Sequence, residues 1–92
     1  MHYQKNENGW ELCTLANGHL SCDNFNLTAD DIDRVEELLR PKYGKIMKKE
    51  HIMVSYDNWS GIFIMQMPGC KTDTSDDIIN EIYAFLSDPD LS

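Results

Sequence analysis

Two short runs of mixed apolar and polar residues, Trp10 to Leu15 and His19 to Phe25, flank Asn17-Gly18. Asn-Gly favours positive φ at both central positions of a tight turn, so the pattern predicts a β-hairpin closed by a two-residue loop. That register sets Cys13 directly opposite Cys22 in a non-hydrogen-bonded pair, with Cα atoms ~4.5 Å apart. After Phe25 the spacing becomes helical. Ile32, Val35, Leu38 and Leu39 form one stripe, and Asp30, Asp33 and Glu37 fall opposite it. Thr28 as N-cap and Asp31 three residues on start this helix near Ala29, and Pro41 stops it at Arg40. A basic connector from Arg40 to Lys49 follows. The second hairpin runs from His51 to Tyr56, turns through Asp57-Asn58-Trp59-Ser60, returns along Gly61 to Met67 and ends at Pro68-Gly69. A last helix from Ser75 to Ser87, capped by Thr74 with Asp77 in its first turn, buries Ile78, Ile79, Ile82, Phe85 and Leu86.

The order ββαββα predicts an α+β fold: a four-stranded, mainly antiparallel sheet with both helices on one face. Thr28-Ala29-Asp30-Asp31-Ile32 recurs as Thr74-Ser75-Asp76-Asp77-Ile78, each copy preceded by a hairpin. Capped helix starts favour these residue types everywhere, so the repeat is weak. Residues 1–92 are expected to make a single small domain, with 1–9 a flexible N-terminal segment and 88–92 a flexible tail.

In the second hairpin, Ile52, Val54 and Tyr56 are expected to share a face with Phe63, Met65 and Met67, and Met53 to share the other with Ile62 and Ile64. Two helices cover one face of a sheet, so the second apolar set, with Trp59 at the hairpin tip, becomes a candidate interface.

Composition sharpens the picture. Hydrophobic residues make up 41%, too many for a disordered chain. Apolar runs such as Ile62-Phe63-Ile64-Met65 are far short of a membrane span, and the polar stretch Met1-His2-Tyr3-Gln4-Lys5 has no apolar signal-peptide region, so a cytoplasmic protein is expected. The two glycosylation sequons, Asn26-Leu27-Thr28 and Asn58-Trp59-Ser60, are then idle. Sixteen acids against eight bases give a net charge of −8, and five of the bases, Arg40, Lys42, Lys45, Lys48 and Lys49, lie in the connector. Such a field draws basic surfaces and repels phosphate backbones.

Catalytic chemistry finds little support. Three cysteines and three histidines lack paired ligand spacing, so no metal is expected; Cys13 and Cys22 read as small hydrophobes in a reducing compartment and Cys70 as a surface thiol. The carboxylate pairs Asp30-Asp31, Glu36-Glu37 and Asp76-Asp77 sit on helices, where the Asp pairs complement the dipole. No phosphate loop, dinucleotide fingerprint or nucleophile elbow occurs, so neither an enzyme nor a cofactor is expected.

The sequence therefore reads as a small acidic protein-binding or inhibitor module that neutralises a basic macromolecular partner, such as a toxin or nuclease. In composition it is similar to immunity proteins, antitoxins and phage-encoded inhibitors. The expected contact residues are Asp30, Asp33, Glu37, Trp59, Met53, Ile62 and Ile64. A homodimeric module burying the second hairpin is the alternative. A nucleic-acid adaptor using Lys45, Lys48 and Lys49 is the third and weakest reading.

Overall fold

Four strands come from the two hairpins that the turn signals and apolar runs predict: β2 (Glu11–Thr14) with β3 (Leu20–Asn24), and β4 (Ile52–Asp57) with β5 (Gly61–Gln66). A fifth, β1 (Tyr3–Lys5), pairs with β2 within the segment expected to be flexible. Its polar sequence gives no hydropathy signal. In the computed structural model, which describes residues 3–5, 9–16, 18–67, 70 and 74–87 (of 3–5 only the strand), the sheet is antiparallel with the order β1-β2-β3-β5-β4. The tail 88–92 lies outside the described residues. Each ββα half supplies one inner strand, β3 or β5, and one strand flanking it.

Both hairpins close one residue away from the expected register. In the first, the amide of Leu15 donates to the carbonyl of His19 at 2.7 Å and that of Gly18 to Leu15 at 2.9 Å. Leu15 therefore pairs with His19 across a three-residue loop, with Gly18 at φ 88°. Leu12 then faces Cys22, and Cys13 faces Ser21. The expected Cys13–Cys22 pair does not form, because a one-residue slip puts the two thiols on opposite faces of the sheet. In the second hairpin, Asp57 pairs with Gly61, Val54 with Ile64 and Met53 with Met65. Ile52, Val54 and Tyr56 thus share a face with Ile62, Ile64 and Gln66, while Met53 and Ser55 share the other with Phe63 and Met65.

The first helical segment is longer than expected. A 3-10 turn at Ala29–Asp31 leads into α1 (Ile32–Lys49), and the amide of Thr28 donates to Oδ2 of Asp31 at 3.0 Å, one half of the expected capping box. Pro41 lies inside α1, so the stretch expected to be a connector is helical. Proline there costs roughly 3 kcal/mol by removing one helical hydrogen bond. Packing outweighs that cost. Val35, Leu39, Tyr43 and Met47 recur every fourth residue and all are buried, whereas Pro41 and Glu37, whose carbonyl loses its donor, are exposed. Leu38, expected in the stripe, is 36% exposed.

The last helix, α2 (Ser75–Leu86), buries Ile78, Ile79, Ile82 and Leu86 as its spacing predicts, with Phe85 half-buried. Both helices cover the sheet face carrying Leu12, Cys22, Ile52, Ile62 and Ile64, so one core joins all layers. Tyr43 links the helices: its ring meets Phe85 edge-on at 5.5 Å, its hydroxyl donates to the carbonyl of Glu81 at 3.3 Å, and Lys42 Nζ sits over both rings. Buried Glu50, just past α1, accepts from Gln66 Nε2 at its carbonyl (3.0 Å) and from the Thr74 hydroxyl at Oε1 (3.2 Å). That locks the end of α1 to β5 and to the start of α2.

Candidate binding surfaces

The tip of the second hairpin is built around one carboxylate. Oδ1 of Asp57 accepts from the amides of Trp59 at 2.8 Å and Ser60 at 2.6 Å, the local bond pattern by which aspartate closes a turn. Gly61 follows at φ 70°, and its Cα lies so close to β3 that an added Cβ would sit 2.2 Å from the Asn24 carbonyl oxygen and 2.7 Å from Cα of Phe25. The backbone under Trp59 is thereby held, while its indole stands 88% exposed; Phe25, beside Gly61, is 54% exposed. Two large apolar side chains so exposed at one end of a small domain cost hydration free energy with no return inside the fold.

Acidic residues share that end. The 3-10 turn packs against β4 and β5, and α1 runs antiparallel to β4, so Asp30 and Asp33 lie toward the hairpin tip. Asp30, Asp33 and Glu37 are all exposed, as the sequence predicts. Ile62 and Ile64 are not available to a partner. Both are 0% exposed beneath the helices, because the shifted register turns them inward. Of the expected apolar contacts Met53 alone stays on the outer face, half-buried beside Met65.

The opposite end of the α1–β4 layer carries the bases. Arg40, Lys45 and Lys48 line a groove of about 590 Å³ between α1 and β4, floored by Leu39, Met47 and Val54. Sequence reasoning missed it, because it exists only when α1 continues past Pro41 and β4 ends the sheet. The continued spacing from Leu39 to Tyr43 and Met47 was the available signal.

On the outer sheet face of the first hairpin, Glu11 and Asp23 are directly opposite each other and both are buried. Burial, then the charges of Glu11 and Asp57, hold the Asp23 carboxyl above its ordinary value, against a hydrogen bond donated by the Ser21 hydroxyl. Cys13, on the same face, is pushed up to about 11 by burial and by Asp23 and Glu11. Cys22, in the core, is raised further, mainly by burial. Asp76 at the start of α2 accepts from the Leu20 amide at 2.9 Å and lies 3.3 Å from His19 Nδ1, which ties α2 to β3. Among the described residues no group of His, Cys, Asp and Glu is arranged to hold a metal, and no helix is long and apolar enough to cross a membrane. Comparison with protein families, curated proteins and solved structures finds no match to this chain.

Proposed function

We propose that this protein is a cytoplasmic protein-binding module, not an enzyme, that docks a basic partner on its aromatic, acidic end. The neutralisation of a basic toxin or nuclease is the sharpest form of this reading. The observation that carries it is Trp59: an indole 88% exposed on a backbone already fixed by Asp57 and Gly61. A held anchor loses little freedom on binding, which is where much affinity is otherwise spent. Exposed Asp30, Asp33 and Glu37 supply a field that speeds encounter with a basic surface. The raised Cys13 and Cys22 thiols stay protonated at neutral pH, which argues against a nucleophilic role.

The test is to isolate a partner with the wild-type chain and measure association and dissociation against variants. Trp59→Ala should speed dissociation, at a loss of ~2 kcal/mol. The triple variant Asp30→Asn, Asp33→Asn, Glu37→Gln should slow association and flatten its salt dependence. A partner bound equally well by both variants would refute the reading.

A further inference from the structure

We propose that the free edge of β4 is a second docking site, which takes an extended acidic peptide as an added strand. Three observations converge on it. First, β4 ends the sheet. Second, its outward groups can be identified. The Met67 amide donates to the His51 carbonyl at 2.8 Å, one step beyond the Ile52–Gln66 pair, so positions 51 and 67 mark a hydrogen-bonded site of the ladder. Pairs alternate along an antiparallel ladder, so Met53, Ser55 and Asp57 bond to β5, while the N–H and C=O of Ile52, Val54 and Tyr56 point away from the sheet. Third, the groove of about 590 Å³ lies beside this edge, with Leu39, Met47 and Val54 beneath and Arg40, Lys45 and Lys48 along its helical wall.

Each feature selects part of the ligand. Outward backbone groups at alternate residues bond a parallel or antiparallel strand, as in strand-addition complexes. The apolar floor takes every second side chain of that strand, because side chains alternate at period two. Three bases against one acid, Glu36, on the groove wall favour carboxylates on the ligand. A second copy of this chain fits poorly. A two-fold axis through antiparallel β4 strands would set the Arg40, Lys45 and Lys48 of one copy against those of the other, and like charges facing across an interface repel.

The experiment uses the whole chain and a labelled, end-capped peptide of alternating glutamate and valine, as long as the six residues of β4. We expect saturable binding that weakens at least ~10-fold when lysine replaces glutamate in the peptide, and as much with Lys45→Glu plus Lys48→Glu. Methylating alternate peptide nitrogens should abolish binding, because it removes the donors that reach β4. Val54→Pro should do the same while leaving the fold intact, since the Val54 N–H bonds nothing in the sheet. Should Val54→Pro unfold the chain, the methylated peptide still decides. Trp59→Ala should leave peptide binding unchanged, which separates this site from the aromatic end. No saturable binding up to ~1 mM, equal binding of the lysine or methylated peptide, or self-association abolished by Val54→Pro would each overturn the proposal. Tighter binding of a single-stranded oligonucleotide, lost with Lys45→Glu plus Lys48→Glu, would overturn it in favour of nucleic acid.

Discussion

The two hairpins share a plan and differ in what is left uncovered. Each turns across a loop next to a positive-φ glycine, Gly18 or Gly61, and each is followed by a helix. In the first, β1 covers the outer edge of β2 and the outer face carries the polar Glu11, Ser21 and Asp23. In the second, β4 ends the sheet with no strand beyond it among the described residues, the outer face carries Met53, Phe63 and Met65, and the tip holds an exposed tryptophan. Unpaired edges invite association, and proteins usually cover or blunt them. This chain ends its sheet on one side with the three-residue β1 and on the other with the six-residue β4 beside a basic groove, which is why both proposed docking sites lie on the second hairpin.

The largest effect should come from the second hairpin's two faces. Ile64→Ala empties a fully buried site and should cost ~3–4 kcal/mol in urea denaturation, whereas Met65→Ala, on the half-buried outer face, should cost less than ~1.5 kcal/mol. A reversed order would mean the faces are exchanged. The glycines come next. Gly18→Ala meets no neighbouring atom and pays only for positive φ, ~1 kcal/mol, while Gly61→Ala also drives a Cβ into the backbone of β3 and should cost ~2–3 kcal/mol or more. Equal costs would mean that the Trp59 tip is not braced by β3.

The smallest effect concerns the first hairpin's outer face. The folded state raises the Asp23 pKa above its ordinary 3.8, so above that pH the folded chain binds more protons than the unfolded one. Stability contributed by this group therefore falls as pH rises from the ordinary value through the folded one. Asp23→Asn should stabilise the protein at neutral pH by less than ~1 kcal/mol, and the gain should vanish near pH ~3. A loss at neutral pH would show that the bond from Ser21 outweighs burial.

Elements were legible in this sequence and registers were not. Asn17-Gly18 and Asp57-Asn58-Trp59-Ser60 mark turns correctly, yet both read naturally as loops with an even number of residues, and both close with an odd number between paired positions. The same slip exchanged the faces of both hairpins, which cost the Cys13–Cys22 pair and misplaced Ile62 and Ile64. Burial supplies the missing rule. An even first loop would put Leu12 opposite Asp23, whereas the observed one sets it opposite Cys22 beside Leu20. Pro41 is the other lesson. A local stop signal lost to tertiary packing by Tyr43 and Met47, and the groove followed from that. The exposure of Trp59, Asp30, Asp33 and Glu37 was legible because a turn tip and a helix's polar face need no register.

Amide hydrogen exchange along β4 tests the central claim, an open edge built to receive a strand. In the dilute free protein, the amides of Met53 and Ser55 should exchange slowly and those of Val54 and Tyr56 rapidly, because only the first pair bonds β5. Adding the glutamate–valine peptide should protect Val54 and Tyr56 and leave Met53 and Ser55 as they were. Uniform protection along β4 without peptide would mean that the edge is already covered, and unchanged rapid exchange with peptide present would mean that no strand adds there.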